Sequence, residues 1–373
     1  MAGIYIHIPF CKQACHYCDF HFSTSLKYRD EMVGSIAKEI TLQKDYLGGE
    51  TINTIYFGGG TPSLLNADEI NRIINTITGL HTVASDAEIT LEANPDDLHA
   101  AAVKSLRRTP VTRFSIGIQS FFDEDLLWMN RAHHAAEAEA SVKRAQDAGF
   151  ENITADLIYG YPMLTDVKWK HNMDTLFGLD IPHVSAYSLT VEPRTALATF
   201  VKNKKTPPLS DQQSAGQFLM LMEQMEKRGF EHYEISNFAK PGQYSRHNTN
   251  YWKGVKYLGV GPSAHSFNGD TRQWNVANNA KYLAALADNK LPFEVEELTE
   301  ENRLNEYIMT SLRTQWGLDL SKLEQIAAGT KTILQKEARP FFTKDWLKQD
   351  NDTLTLTLSG KLYADHIAGE LFF

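Results

Sequence analysis

The chain has 373 residues, a net charge of −9 and 42% hydrophobic residues, which is typical of a globular protein with two or three domains. Its acidic balance argues against nucleic acid as the main partner, because phosphate binding needs a basic surface. No apolar run approaches the roughly 20 residues of a membrane span, and the N-terminal residues lack the basic flank of a signal peptide. We therefore expect a cytoplasmic protein without a membrane span.

Six short runs rich in β-branched and aromatic residues predict strands in the first two hundred residues. These runs cover residues 4–8, 52–57, 88–92, 113–118, 153–158 and 183–189. Helical spacing between the runs predicts helices, at residues 28–46, 67–77, 135–148 and 167–177. Asp97 and Asp166 are the candidate N-caps. Strands that alternate with helices indicate a parallel sheet with helices packed on its outer face.

Polar residues and glycines follow the predicted strands. The first strand runs into a cysteine cluster, the second into Gly58-Gly-Gly-Thr-Pro62 and the third into Glu92-Ala-Asn-Pro95. Gln119 follows the fourth strand, and Asp156 lies on the fifth. Chemical residue types at the carboxyl ends of successive parallel strands are typical of a (β/α) barrel, where those ends form one active-site face. The six units predict an α/β fold built on a partial (β/α)6 TIM-like barrel.

The pattern changes after about residue 210. We predict a helix at residues 210–228, a stretch rich in aromatic residues and glycine up to residue 274, and helices at 300–313 and 321–328. Two strands at 341–347 and 353–358 read as a hairpin, and a short helical tail follows. We expect three parts: a barrel at residues 1–230, a barrel-closing segment at 231–290 and a small C-terminal α+β domain at 291–373.

The three cysteines of the chain lie within eight residues, at Cys11, Cys15 and Cys18. An odd number at this spacing cannot form a disulfide framework, and the clustering favours a metal site over three inert buried thiols. A zinc site would need a fourth ligand, which His7, His16 or His21 could supply. Three thiolates also suit a [4Fe–4S] cluster whose fourth iron is left open for an exogenous ligand.

The cysteine spacing after one strand and the Gly58-Gly-Gly-Thr-Pro62 run after the next resemble the radical S-adenosylmethionine (radical SAM) superfamily. Within it, the chain resembles the oxygen-independent coproporphyrinogen III oxidases and their HemW-type haem chaperone relatives. Further motifs of this resemblance, which covers nearly the whole chain, stand at residues 5–11, 92–95, 115–121, 156–162 and 259–265. The resemblance implies a [4Fe–4S] cluster held by Cys11, Cys15 and Cys18, with S-adenosylmethionine bound at its open iron.

The resemblance also implies which residues contact S-adenosylmethionine. Gly58, Gly59 and Gly60 would let the backbone approach the methionyl group, since a Cβ would clash, although such a run can also be a plain tight turn. Arg131 suits a carboxylate and Asp156 suits ribose hydroxyls. The other implied contacts are Tyr5, Tyr17, Thr61, Glu92, Gln119 and His265. Among these, Tyr17 would pack on the adenine, Tyr5 is equally compatible with a core position, and the 259–264 loop would lie at the rim of the site.

Two departures separate the chain from the oxidases of this family. Phe20 stands where the oxidases carry a fourth cysteine, and no long N-terminal arm precedes Cys11. The segment from His247 to Trp252 instead fits the HNxxYW pattern of the HemW-type chaperones. Its histidine could ligate haem iron and its aromatic rings could cover the macrocycle, although a lone histidine amid aromatic residues is more often a core residue.

The resemblance therefore implies a haem chaperone that takes up haem, delivers it to haem-dependent proteins and receives electrons from a donor such as a flavodoxin or ferredoxin. Cleavage of S-adenosylmethionine is expected, whereas coproporphyrinogen oxidase activity is not. The alternatives are an oxygen-independent coproporphyrinogen III oxidase and a zinc-stabilised barrel without radical chemistry.

Overall fold

The computed structural model describes all 373 residues and contains one sheet of 12 strands and one of three. The strands of the large sheet are β1 (Ala2–Ile8), β2 (Ile52–Gly59), β3 (Val83–Ala93), β4 (Arg113–Gln119), β5 (Asn152–Tyr159), β6 (His183–Ser188), β7 (Glu231–Glu234), β8 (Asn237–Ala239), β9 (Tyr257–Val260), β10 (His265–Phe267), β11 (Thr271–Asn275) and β12 (Phe293–Glu297). Their spatial order is β12-β11-β10-β9-β1-β2-β3-β4-β5-β6-β8-β7.

The centre of the large sheet is parallel. Strands β1 to β6 pair in chain order, and β9 adds a seventh parallel strand beside β1. Almost every residue of β1, β2 and β4 is buried, as expected for strands that are covered on both faces. Residues from β2 through β6 line one cavity, so the sheet curls around it. The predicted α/β partial barrel with six strands is confirmed, with short strands added at both edges.

Ten helices accompany the large sheet. They are α1 (Arg29–Leu42), α2 (Ala67–Leu80), α3 (Ala100–Leu106), α4 (Asp123–Trp128), α5 (Ala135–Asp147), α6 (Asp166–Gly178), α7 (Ala196–Lys202), α8 (Asp211–Lys227), α9 (Arg246–Trp252) and α10 (Asn279–Ala287). In α2, Ile70, Ile73, Ile74 and Ile77 recur at helical spacing and are all buried. No helix is long and apolar enough to cross a membrane.

Both predicted N-caps are wrong. Thr165, and not Asp166, caps α6, because its hydroxyl accepts a hydrogen bond from the backbone N–H of Lys168. Asp97 lies in a 3₁₀ turn before α3, where its carboxylate accepts a hydrogen bond from Ser63. At both helices the N-cap is the residue that directly precedes the first helical turn and has an extended backbone, as capping geometry requires.

The C-terminal residues form a small α+β domain with its own apolar core. Its elements are α11 (Glu300–Leu312), β13 (Leu318–Asp319), α12 (Leu320–Ile326), α13 (Thr330–Glu337), α14 (Arg339–Thr343), β14 (Leu347–Asp350), β15 (Thr353–Leu356) and α15 (Ala364–Glu370). The first strand of the predicted hairpin, at 341–347, is wrong: Pro340 stands in the first turn of α14, and the strand begins only at Leu347.

Glu39 joins elements that are far apart in the chain. This carboxylate of α1 is fully buried and accepts hydrogen bonds from Gly261 N at 2.8 Å, Asn275 Nδ2 at 2.6 Å, Tyr282 Oη at 2.5 Å and Gln43 Nε2 at 2.9 Å. Burial raises the pKa of Glu39 above its ordinary value. The network fixes α1 against the loop after β9, against β11 and against α10.

We expect Glu39→Ala to lower the free energy of unfolding by about 3 kcal/mol, because four buried donor groups lose a hydrogen bond and only Asn275 Nδ2 keeps another acceptor, the carbonyl oxygen of Gly261. Glu31→Ala on the exposed side of the same helix is the matched control and should change the stability by less than about 0.5 kcal/mol. Urea unfolding of both variants measures the difference. Equal stability of the two variants would contradict the role assigned to Glu39.

Candidate functional site

A cavity of about 490 Å³ opens at the carboxyl edge of the parallel strands, and we call it the cluster cavity. Its volume lies within the range of small-molecule sites, about 300–1,000 Å³. The structure brings most of the predicted site residues together here. Those that line it are Cys11, Cys15, Tyr17, Cys18, Gly59, Gly60, Thr61, Glu92, Gln119, Arg131 and Asp156.

The three cysteines lie on the loop between β1 and α1, and all of them are free thiols. A β-bridge between Phe10 and Ser23 closes the base of the loop, which contains no regular helix or strand. Burial raises the pKa of Cys18 to about 12. No three potential ligands lie close enough together in the structure to hold a single metal ion.

Each of the histidines that could complete a zinc site uses one ring nitrogen in a hydrogen bond within the protein. His16 Nδ1 lies 2.8 Å from the carbonyl oxygen of Trp128, and His21 Nε2 lies 2.7 Å from Asn279 Oδ1. His7 Nε2 lies 2.8 Å from the carbonyl oxygen of His21. Three sulfur donors suit a cluster with one open iron, whereas tetrahedral zinc would also need the second ring nitrogen of one of these histidines.

Two carboxyl groups project into the cluster cavity from neighbouring parts of the sheet. Glu92 Oε1 accepts a hydrogen bond from Tyr56 Oη at 2.7 Å, and Asp156 Oδ2 accepts one from Ser115 Oγ at 3.2 Å. Burial raises the pKa of each carboxyl group to about 7, and the charge of Asp156 further raises that of Glu92. A cationic ligand would relieve this repulsion and favour the ionised forms.

Arg131 supplies the positive charge of the cavity. Its Nη2 donates to Asn94 Oδ1 at 2.6 Å and to the carbonyl oxygen of Gly117 at 2.9 Å, while Nη1 lies 3.4 Å from Cys15 Sγ. Gln119 lines the same wall with a backbone φ of +68°, a left-handed conformation that is rare outside glycine. Such strained residues cluster at binding sites. A guanidinium held beside the cysteine loop suits a ligand carboxylate.

The glycine run at the end of β2 is needed for packing within the protein. Gly59 has φ +105°, and a Cβ at this residue would lie 2.6 Å from the ring of His7. A Cβ at Gly60 would lie 2.5 Å from the carbonyl oxygen of Phe10. The glycines thus let the end of β2 pack against the end of β1, which brings the backbone of Gly59 and Gly60 to the cavity surface. Gly58 does not line the cavity.

Three further predicted residues lie away from the cluster cavity. Tyr5 stands lower in the barrel, with its ring stacked on Tyr56 at a centroid distance of 6.2 Å. His265 is exposed on β10 and stacks on Trp274. His247 lies at the amino end of the barrel, where its Nδ1 is 2.9 Å from Thr54 Oγ1.

Sequence reasoning missed several residues that shape the cavity, namely Tyr56, Asn94, Ser115 and Tyr187. Asn94 and Ser115 stand inside motifs that were recognised, so the motifs themselves were the available signal. Tyr187 lies on β6 and is 44% exposed, because it faces a cavity and not the core. Its position could not be inferred without knowing how strongly the sheet curls.

Comparison with known proteins agrees with this geometry. Residues 5–176 match the radical SAM superfamily, and residues 298–363 match the HemN C-terminal domain. The chain belongs to the radical SAM superfamily. Two relatives named heme chaperone HemW, from Bacillus subtilis and Mycobacterium tuberculosis, are each 33% identical over 99% of this chain, covering 98% and 94% of their own lengths. The structure of coproporphyrinogen III oxidase (HemN) from Escherichia coli shares the fold, with a TM-score of 0.87 at 22% identity over 100% of this chain and 90% of that chain.

Membership of the radical SAM superfamily implies a [4Fe–4S] cluster and S-adenosylmethionine, and the cluster cavity fits both. Three free thiols share one wall, and Arg131 and the carboxyl pair of Glu92 and Asp156 stand beside them. When bound and reduced, a cluster held by the three cysteines would supply an electron for the cleavage of S-adenosylmethionine. The residues that line the cavity would then orient the amino acid and ribose ends of that ligand.

Replacing Cys11, Cys15 or Cys18 with Ala should each remove most of the cluster iron, because the chain has no other thiol to take its place. Iron and sulfide analysis after anaerobic reconstitution measures this. His16→Ala is the matched control within the same loop and should retain the iron. Loss of metal in His16→Ala, together with absence of sulfide in the wild type, would instead favour zinc.

Glu92→Gln should weaken S-adenosylmethionine binding by about tenfold, because the cationic ligand loses one carboxylate. The same substitution should stabilise the ligand-free protein at pH 8. Because the pKa of the Glu92 carboxyl group is raised to about 7, the native state binds protons more tightly than the unfolded state. The stability of the native state therefore falls as pH rises from about 4.5 to 7. Glutamine does not ionise, so the variant avoids this loss of stability.

Calorimetric titration and thermal unfolding at pH 6 and pH 8 test this pair of effects. Wild-type affinity should be higher at pH 8, where Glu92 is ionised. Glu151→Gln, at an exposed residue, should leave both quantities unchanged. A Glu92→Gln protein that binds as tightly as the wild type would place the ligand elsewhere.

Proposed function

We propose that this protein is a radical SAM haem chaperone, which binds haem and passes it to haem-dependent proteins. The full-length similarity to relatives named heme chaperone HemW supports this proposal, since it extends through the barrel and the C-terminal domain alike. The observation that carries it is the environment of His247.

His247 has the environment of a metal ligand. Its Nδ1 lies 2.9 Å from Thr54 Oγ1, while its buried Nε2 has no hydrogen-bond partner. Burial lowers the pKa of His247 to about 3, so the ring is neutral at physiological pH. A ligating histidine characteristically anchors one ring nitrogen by a hydrogen bond and presents the other, unprotonated, to the metal. A buried imidazole nitrogen without a partner is otherwise unfavourable.

The rest of the segment supplies aromatic surface. The ring centroid of Tyr251 lies 5.2 Å from that of His247, and Tyr5 packs on the imidazole from the barrel side at 6.5 Å. Because His247 is only 2% exposed, ligation of haem iron requires one of these rings to move.

Phe20 supports a chaperone over an oxidase. The resemblance places a fourth cysteine of the oxidases at this position, and here a phenylalanine with 67% of its surface exposed lines the cluster cavity. The likeness to HemN concerns the fold alone at 22% identity. Delivery to haem-accepting proteins, electron supply by a flavodoxin or ferredoxin, and a cytoplasmic location stay predictions.

His247→Ala should lower the affinity for haem by about tenfold or more and change the absorption spectrum of bound haem, because the axial ligand is lost. Cluster iron should stay intact, since the cysteines lie at the other end of the barrel. His183→Ala is the matched control: His183 is also fully buried, with Nε2 2.7 Å from Tyr233 Oη and Nδ1 without a hydrogen-bond partner. Because it lies on β6 and outside the HNxxYW segment, its loss should leave the haem spectrum unchanged.

Product analysis with coproporphyrinogen III completes the test, and we expect negligible decarboxylation. Robust formation of protoporphyrinogen, together with a haem spectrum indifferent to His247→Ala, would make the protein an oxidase and the proposal wrong.

A further inference from the structure

A second cavity, of about 620 Å³, lies between the barrel and the C-terminal domain. One wall comes from α9 through Asn248, Tyr251 and Trp252, and the opposite wall comes from α11 and α12. Tyr187 lines both this cavity and the cluster cavity. The volume is that of a site for a large small molecule, and the position is next to both the S-adenosylmethionine site and the HNxxYW segment.

The second cavity is positively charged, although the whole chain carries a net charge of −9. Five basic side chains and two acidic ones line it. Both acidic groups are already neutralised by arginines: Arg272 contacts Glu306 through two nitrogens, at 2.6 and 2.7 Å, and Arg313 Nε lies 3.2 Å from Glu234. The remaining three basic residues give the cavity a net positive charge that attracts anions.

These three basic residues are Lys253, Arg303 and Lys322. Neither lysine forms a salt bridge. Lys253 Nζ stands 4.2 Å from the ring centroid of Trp316, and Lys322 Nζ stands 4.6 Å from that of Tyr307. Arg303 lies 3.7 Å from the exposed Asp270, a weak contact. Cations held by aromatic rings and not by carboxylates keep their charge available for a ligand.

The walls between the cations are aromatic. Tyr251 and Trp252 face the cavity from α9, and Trp252 Nε1 is a buried donor without a partner. A cavity that offers aromatic surface beside cationic side chains suits a planar aromatic molecule that bears carboxylates. Haem has this chemistry: a flat macrocycle with two propionates at one edge.

We propose that the second cavity holds the propionate edge of the tetrapyrrole, with Lys253, Arg303 and Lys322 pairing with its carboxylates and Tyr251 and Trp252 covering its face. This inference rests on the proposed function and adds to it the residues that recognise the acidic groups. It makes the C-terminal domain part of the haem site, because α11 and α12 supply Arg303 and Lys322.

The test compares haemin with haemin dimethyl ester, which lacks the two negative charges, by absorption titration. Wild-type protein should bind haemin about tenfold more tightly than the ester, and added salt should reduce that preference. The double variant Lys253→Glu/Lys322→Glu should weaken haemin binding by about tenfold or more and leave ester binding within about twofold of the wild type.

The matched control is Lys104→Glu/Lys143→Glu, which makes the same change of net charge at two exposed residues of the barrel helices. It should bind both ligands as the wild type does. Equal loss of haemin affinity in the control, or no loss in the Lys253/Lys322 variant, would overturn the inference.

The outcomes separate this inference from the proposed function. Wild-type protein that binds no haemin at all contradicts both. Haemin binding that depends on His247 but is indifferent to charge reversal at Lys253 and Lys322 contradicts the propionate site alone and leaves the chaperone proposal standing.

Discussion

Parallel pairing of seven strands forces their carboxyl ends to one edge of the sheet, and the content of the cluster cavity follows from that alignment. Gly59 ends β2, Glu92 lies near the end of β3, and Asp156 projects from β5, so residues nearly a hundred positions apart in sequence face one space. The same alignment brings two carboxyl groups together in a desolvated place, which raises the pKa of each to about 7. A ligand with a sulfonium or ammonium group would stabilise the ionised forms of these two carboxyl groups.

At the amino end of the barrel, the buried charged and polar groups contact one another. Arg113 is 1% exposed there, lies 3.9 Å from Glu88 Oε2 and donates to Asn152. Glu88 Oε1 in turn accepts the backbone N–H of His247 at 3.1 Å, and Thr54 holds the imidazole. Glu88 therefore holds the backbone of His247, and Thr54 holds its imidazole ring. The cysteine loop at the other end contains no regular helix or strand.

The sequence was sufficient to predict the centre of the fold, because the six central strands are mostly buried and rich in β-branched and aromatic residues. It was insufficient for the edges. Strand β12 (Phe293–Glu297) is mostly charged and exposed, and only its pairing with β11 makes it a strand. The cavity residues that were predicted from motifs stand at the ends of strands. Their position could be inferred because the carboxyl ends of parallel strands lie at one edge of the sheet. Tyr187 was missed because its role depends on how the sheet curls around the cavity, whereas Asn94 stands inside a motif that was recognised.

The pairing of β9 with β1 has a consequence for how the chain folds. Gly3 pairs with Tyr257, so about 250 residues separate the two partners. During synthesis the edge of β1 therefore stays open until most of the chain has left the ribosome, and an open apolar edge invites pairing with other chains. Folding of the barrel should end with a slow closing step that docks β9 and engages Glu39, and the nascent protein should depend on cellular holdases until that step occurs.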